Sequence, residues 1–293
     1  MLFVNEDQVR KLLPMCDAIR LMREVFKDLR SGSALNQPRR RLTLPTGSTL
    51  HSLAGVWGKY FGTKIYSTHP KFGASFFFLL FDAETARPLA QFEANYLGQI
   101  RTGAASGYAT DVLAAPDAST LAIIGSGFQA RAQFEAICEV RPIKEVRVWS
   151  RSEMKREEFA KSIGAVTSAT AEQAVRGADI VATATSAKDP VLESAWIEAG
   201  THINAMGSNQ ALRRELPSDL IARAELIAVD SIEQAKIEAG DLLLAPVDWG
   251  DRRIVELANV DARPAGLPVT IFKSLGLGVE DVAAAAFVYE QLS

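Results

Sequence analysis

The stretch that most restricts what this chain can fold into is Thr120-Leu-Ala-Ile-Ile-Gly-Ser-Gly-Phe-Gln-Ala130. A short apolar run, Leu121 to Ile124, stops abruptly at Gly125-Ser126-Gly127, and a helical spacing of Phe128, Ala132, Phe134 and Ile137 follows. The pattern predicts a strand, a tight turn and a helix. Gly125 supplies the backbone angles of the turn, Gly127 lets main chain approach a ligand closely, and Ala130 stands where a small residue brings helix and strand together. Amides at the helix start, next to Ser126 and Gln129, favour a bound pyrophosphate. A dinucleotide is the expected ligand. Gly-x-Gly-x-x-Ala alone is a weak signal, because glycine turns are common; the strand before it and the helix after it carry the reading.

From residue 119 onward strands and helices alternate. Strands are expected at 120–124, 145–149, 165–167, 180–185, 202–206 and 226–229, with helical patterns between them. That alternation predicts a parallel, doubly wound sheet with its ligand across the carboxyl ends of the strands. Thr185, Met206, Gly207 and Ser208 fall at those ends and are expected at the cofactor.

The flanking segments read differently. Residues 1–32 predict two helices separated by Pro14, and 37–105 holds short β runs at 50–57, 62–68, 74–82 and 88–93. These predict a mostly antiparallel sheet. A helix of small residues, Arg101-Thr-Gly-Ala-Ala-Ser-Gly-Tyr-Ala-Thr110, ends before Pro116-Asp117, the expected domain junction. After Gly250 come Val269 to Lys273 and an apolar helix from Val279 to about Leu292, expected to rejoin the first domain. The expected division is 1–115, 116–262 and 263–293.

Composition narrows the partners. A net charge of −3 without a basic tract argues against nucleic acid and anionic membranes. No apolar run reaches the ~18 residues that span a bilayer. The N-terminus shows no signal-peptide pattern, so a cytoplasmic protein is expected. Cys16 and Cys138 lie in helix-like segments and read as buried thiols. His51, His69 and His202 have no metal-ligand spacing, so no metal is expected.

The second strand of the alternating region bears on cofactor type. An acid at its carboxyl end would accept bonds from the ribose hydroxyls of NAD. Glu145 lies 20 residues after Gly125 but at the strand's other end. The carboxyl end reads Trp149-Ser150-Arg151-Ser152, with Lys155 beyond. Hydroxyls, a guanidinium and an ammonium suit a 2′-phosphate, which favours NADP(H) over NAD(H). The plainer alternative is that Arg151 and Lys155 decorate a helix start.

Together these residues resemble the ornithine cyclodeaminase/mu-crystallin family. The resemblance rests on Gln37-Pro-Arg-Arg40, Gly62-Thr-Lys64 with His69-Pro70, Arg101-Thr-Gly-Ala-Ala-Ser106, Gly125 to Ala130, Asn204-Ala-Met-Gly-Ser208, and Val269-Thr-Ile-Phe-Lys-Ser274. It implies an α/β chain in which a Rossmann dinucleotide domain is inserted into an α+β substrate and dimerisation domain made from both chain ends. It further implies homodimers through the substrate-domain sheets, and an amino or imino acid held by its carboxylate. By that resemblance Arg40, Lys64 and Arg101 bind substrate, with Arg39 and Arg41 as neighbouring alternatives to Arg40, and Lys273-Ser274 approaches the nicotinamide. Ser150-Arg-Ser152 resembles the NADPH-using crystallin branch.

One position departs from the cyclodeaminase pattern. Those members place an aspartate just after the glycine of Asn-Ala-x-Gly; here Gly207-Ser208 leads to Asn209, an amide that does not titrate near neutral pH. Cyclodeamination manages several proton transfers at one carbon, whereas reduction of an imine needs only one positioned proton and a hydride. Lys64, a lysine among cations, is the expected proton donor; Arg101 and Asn209 are the other candidate catalytic residues, Asn209 with a polar contact to ribose or substrate as its plainer role. Reduction of a cyclic ketimine such as Δ1-pyrroline-2-carboxylate therefore ranks first. Amino-acid dehydrogenation (alanine-type or N-alkylating), cyclodeamination and an NADPH-dependent ligand-binding role stand behind it. Glu215 is expected to cap or pair with a neighbour, His202 to be structural, and His69 to pack or touch substrate; Asp230, at a strand's carboxyl end, is a weaker candidate for a cofactor contact.

Overall fold

The computed structural model describes residues 1–266 and 268–293. The chain divides into two compact units, Met1–Ala104 with Gly276–Ser293, and Ala105–Leu275.

The first unit begins with β1 (Leu2–Val4), α1 (Glu6–Leu12) and α2 (Met15–Ser31). Asn5 caps α1 by accepting from the Gln8 amide, and the Gln8 side chain accepts from the Asn5 amide in return. Pro14 separates the two helices as expected and is itself the N-cap of α2. Proline tolerates that place because a helix start leaves its first amides unpaired anyway. Five strands follow: β2 (Leu35–Thr43), β3 (Thr49–Trp57), β4 (Tyr60–His69), β5 (Gly73–Asp82) and β6 (Pro88–Glu93). The six-stranded sheet has the order β1-β6-β5-β4-β3-β2, antiparallel except for the β1–β6 pair. Side chains alternate between its faces. Leu53, Lys64 and Phe78 stand in one row across β3, β4 and β5 and are buried; the next row, Ser52, Ile65 and Phe77, includes two exposed apolar residues.

The helix α3 (Asn95–Leu113) closes the N-terminal part of this unit and runs on into the second. Residues 101–107 are buried on every side. A helix can be enclosed all round when glycine, alanine and serine let neighbours approach its backbone. Its last turns belong to the second unit. Arg141 donates to the carbonyls of Thr110, Asp111, Ala114 and Ala115, and Asn204 donates to the Thr110 hydroxyl. The division therefore falls at 104/105, inside the helix, where the Pro116 signal pointed to 115/116.

The second unit continues with β7 (Thr120–Ile124), α4 (Phe128–Val140), β8 (Glu145–Trp149), α5 (Glu153–Ile163), β9 (Val166–Thr167), α6 (Ala171–Val175) and β10 (Ile180–Thr183). It is completed by β11 (His202–Ala205), α7 (Ser218–Arg223), β12 (Leu226–Val229), α8 (Ile232–Glu238), α9 (Gly240–Leu243), β13 (Ile254–Glu256) and β14 (Thr270–Lys273). All its strand pairs are parallel, in the order β13-β12-β14-β11-β10-β7-β8-β9. Chain order reverses between β7 and β10, the switch point at which such sheets bind ligands.

Two expectations need correction here. The segment 270–273 does not rejoin the first unit; β14 is inserted between β11 and β12 in the parallel sheet, and the chain returns only at Gly276. Its four residues are all buried, the condition of an interior parallel strand covered on both faces. The cysteines are not buried. Cys16 and Cys138 sit on exposed positions of α2 and α4, off the faces defined by Ile19, Met22 and Phe26 and by Ala132, Ala136 and Ile137.

The C-terminal helix, α10 (Gly278–Glu290), belongs to the first unit and packs on β2, β3, β4, β5 and α2. Among the described residues no helix is long and apolar enough to cross a membrane. The position of β14 predicts that Ile271→Ala, at a fully buried site, destabilises the protein by roughly 2–5 kcal/mol. A urea unfolding curve checks it; an unchanged midpoint would place β14 at the margin of the sheet.

Candidate functional site

The expected cations of the first unit converge, with one substitution among them. Register between β2 and β3 shifts between Gln37 and Arg40, so Pro38 and Arg39 together stand opposite the row of Leu53 and Lys64. This bulge turns Arg39 inward, 5% exposed, and its guanidinium donates to the Gly276 carbonyl. Arg40 pairs with Ser52, shares the outer face with Ile65 and Phe77, and is exposed. Of the three neighbouring arginines it is therefore Arg39, one of the expected alternatives, and not Arg40, that faces the inner side of the sheet with Lys64. An extra residue in one strand reverses which side chains face inward, and no pattern in Pro-Arg-Arg-Arg marks where it falls.

Lys64 on β4 and Arg101 on α3 are 4% and 5% exposed. Both meet a carboxylate that sequence reading did not single out. Asp281 Oδ1 accepts from Lys64 Nζ and from Arg101 Nε, each at 3.1 Å. Glu280 Oε2 accepts from Arg101 Nη1 at 2.8 Å and from the Leu277 amide at 3.2 Å. Glycine makes room for this packing. A Cβ on Gly98 would collide with Lys64 Nζ, and one on Gly276 would collide with Arg101 Nη1. The available signal was an adjacent pair of acids in an otherwise apolar terminal helix, which also reads as ordinary first-turn acids.

Three cations, Arg39, Lys64 and Arg101, thus gather with two carboxylates, Glu280 and Asp281. With all five charged, positive charges outnumber negative ones by one among these five described residues. Burial, Arg101 and Arg39 push the Lys64 ammonium down to about 8 against the pull of Asp281. His51 on β3 carries no compensating charge near neutrality; burial, with Arg41 and Arg39, pushes it down to about 4. Buried ion clusters contribute little net stability, because desolvation offsets attraction. A buried cluster with one cation in excess suits a monoanionic ligand.

In the second unit the turn after β7 has the expected geometry. Gly125 adopts φ +124°, and its amide donates to the Trp149 carbonyl at 2.8 Å. A Cβ there would collide with the Ala184 carbonyl oxygen, so only glycine fits. Gly127 is the N-cap of α4, with no side chain folded over the helix start and open space beside its Cα. Ala130 is fully buried, and Gln129 is partly buried. Ser126 Oγ donates to Ser150 Oγ at 2.9 Å, and Ser150 Oγ donates to the Ser152 carbonyl, joining the ends of β7 and β8. Ser152 caps α5 through the Lys155 amide. Arg151 and Lys155 are exposed, and Glu145 is engaged at the far end of β8 by Arg147 at 2.7 Å. The glycine cradle, the open helix start and the acid-free end of β8 fit a dinucleotide.

The segment between β11 and α7 is tied down by buried carboxylates. Glu215 accepts from Thr183 Oγ1, Thr185 N, Thr185 Oγ1 and Gly207 N, all at 2.7–2.8 Å. Burial pushes its carboxyl up while Lys273 and the Thr185 hydroxyl pull it back. With its oxygens occupied by four donors, Glu215 is a brace rather than a free acid, the pairing role expected of it. Asp241 Oδ1 accepts from the Glu215 and Leu216 amides, and Asp241 Oδ2 pairs with Lys273 Nζ at 2.9 Å. Lys273 also donates to the carbonyls of Ala205 and Ser208. Its ammonium is thus spent inside the unit.

The remaining residues fall as follows. Ser208 Oγ donates to the Arg213 carbonyl and accepts from the Gln210 amide; Met206, Gly207 and Asn209 are partly exposed, and Ser274 is buried with its amide on Ala205. His202 is buried on Thr270 and Asn204, and burial pushes it down to about 3, as fits a structural histidine. Asp230 holds the Leu275 amide. His69 Nδ1 accepts from the amides of Lys71 and Phe72, a turn contact.

The sequence profile of the ornithine cyclodeaminase/mu-crystallin family matches residues 2–293. Ketimine reductase mu-crystallin of Mus musculus is 40% identical over 220 residues, covering 73% of this chain and 69% of the mouse protein. A Δ1-pyrroline-2-carboxylate reductase of Bacillus cereus is 40% identical over 231 residues, covering 73% of this chain and 70% of that protein. The structure of Thermococcus litoralis Δ1-pyrroline-2-carboxylate reductase with NADH and L-proline superposes with a TM-score of 0.94 at 31% identity, covering 99% of this chain and 97% of that one. The chain belongs to the ornithine cyclodeaminase/mu-crystallin family.

Proposed function

We propose that this protein is a nicotinamide-dependent reductase of a small cyclic imino acid of the Δ1-pyrroline-2-carboxylate class. The observation that carries this reading is the buried cluster of Arg39, Lys64 and Arg101 against Glu280 and Asp281, one positive charge in excess. The ketimine and pyrroline-carboxylate reductases among its relatives support the same chemistry.

The substrate carboxylate supplies the missing negative charge, paired with the guanidinium donors of Arg39 and Arg101. Lys64, buried beside them, gives its proton to the imine nitrogen. The Gly125–Gly127 turn and the start of α4 would hold a reduced nicotinamide dinucleotide, which would supply the hydride for the imine carbon while the C=N electron pair goes to the protonated nitrogen. Lys64 then regains a proton from solvent. Because the acid form of Lys64 is required, kcat/KM falls as pH rises through about 8. Asn209 stands where the cyclodeaminase pattern carries an aspartate, which disfavours the further proton transfers of cyclodeamination. The assay is NAD(P)H oxidation at 340 nm with Δ1-pyrroline-2-carboxylate and a panel of imino and keto acids with ammonia. Turnover of the cyclic imine is expected; ammonia release from ornithine with catalytic cofactor would instead assign a cyclodeaminase.

NADPH is the favoured cofactor, supported by the exposed Arg151 and Lys155 and the absence of an acid from Ser150 to Ser152. The Thermococcus relative holds NADH, so the reading for NADPH rests on this chain's own β8 end. Arg151→Glu is expected to weaken NADPH about tenfold or more, from loss of a charge-assisted contact worth about 1.5–3 kcal/mol, and to leave NADH affinity unchanged. Equal effects on both cofactors would remove the assignment.

The protein acts as a homodimer through the outer face of its six-stranded sheet. Leu42, Leu50, Ile65 and Phe77 are 63%, 47%, 37% and 46% exposed there, on adjoining strands. Contiguous exposed apolar side chains of this kind mark an association surface. Ile65→Arg with Phe77→Arg should yield monomers by light scattering; a dimer that persists would place the interface elsewhere.

A further inference from the structure

The mechanism above leaves Asp281 unused, although it is the group that holds Lys64 and Arg101 together. It lies in the first turn of α10, brought from the far end of the chain, and is fully buried. Its Oδ1 accepts from both cations at 3.1 Å. Its Oδ2 is buried without a hydrogen-bond partner among the described residues. Because a single oxygen of Asp281 accepts from both cations, that one atom fixes the spacing and direction of the Lys64 ammonium and the Arg101 guanidinium.

We propose that Asp281 is a positioning residue: it aims the Lys64 ammonium and the Arg101 guanidinium at one ligand and retains the proton on Lys64 until the substrate carboxylate arrives as a second counter-charge. The proposal rests on the carboxylate-binding reading of this cluster. The groups acting on Lys64 are Arg39 on β2, Arg101 on α3, Asp281 on α10 and the Phe76 ring on β5 at 5.5 Å; one contact further out lie His51 on β3, beside Arg39, and Glu280 on α10, bound to Arg101. Two of them are cations, His51 is neutral near pH 7, and Glu280 is engaged by Arg101. Among the described residues Asp281 is therefore the anion in direct contact with Lys64. Removing it leaves burial and two cations acting on the ammonium, all of which expel its proton. A bound carboxylate acts in the opposite sense and draws a proton in.

The sign of each effect gives the test. Asp281→Asn should lower kcat/KM most at high pH, with its basic limb moved acid by about one unit or more, and the deficit should shrink toward pH 6. The loss should appear in kcat more than in KM, because the variant site keeps its excess of cations for the carboxylate. Asp281→Glu should restore part of the rate and the position of the limb. A purely structural role predicts a loss that is the same at every pH. In the unaltered protein, calorimetric titration with L-proline at pH 8.5 in two buffers of different ionisation enthalpy should show net proton uptake, a measurement that stands even where the Asn variant does not fold. An active wild type with no uptake, or an Asn variant with an unmoved limb, overturns the proposal alone. A wild type inactive on cyclic imines overturns it together with the functional reading.

Discussion

The organisation of the first unit depends on charges that have nowhere else to go. Lys64 and Arg101 are almost wholly removed from water, and an unpaired buried cation would cost several kcal/mol. Glu280 and Asp281 make their burial tolerable, and those two residues arrive only when α10, near the end of the chain, packs on β2 to β5. The C-terminal helix is thus an electrostatic requirement of the site as well as a lid on the apolar face of the sheet. The glycines follow from the same constraint. Gly98 and Gly276 stand where any side chain would occupy the space of the Lys64 nitrogen or the Arg101 guanidinium.

The second unit meets a similar demand by a different route. Glu215 satisfies amides and hydroxyls at the carboxyl ends of β10 and β11, Asp241 holds the Glu215 and Leu216 amides, and Lys273 at the end of β14 balances Asp241. Inserting β14 between β11 and β12 is what brings that lysine to the loop after β11. The loop carrying Gly207, Ser208 and Asn209 is consequently braced from below by buried charge. Preorganised backbone of this kind loses little freedom when a ligand docks against it. The two units thus share a device, a buried ion group fixing the segment beside which chemistry is expected, built from unrelated residues.

Much of this was legible in the linear chain wherever the signal was local. The glycine turn needed only neighbours in sequence: φ +124° at Gly125 and the close approach of the Ala184 carbonyl are what Gly-x-Gly foretells. Pro14, the alternation of strands and helices after 119, and the displaced Glu145 were local in the same sense. Which of Arg39, Arg40 and Arg41 faces inward stayed open in the sequence, because a bulge changes facing by one residue and a run of three arginines gives no sign of where it lies. Asp281 was missed because its partners are 217 and 180 residues away. Cys16 and Cys138 were misplaced because helical context alone does not say which face a neighbour covers.

The sequence by itself determined the doubly wound dinucleotide unit, the switch-point geometry, the acid-free end of β8 and the family, because turns, capping and periodicity are interactions between residues a few positions apart. Tertiary structure alone decided which arginine faces inward, where β14 enters the sheet, and which carboxylates neutralise the buried cations. Those choices depend on which distant segments share a low-dielectric interior, where an uncompensated charge is too costly to remain, and no local pattern encodes that meeting.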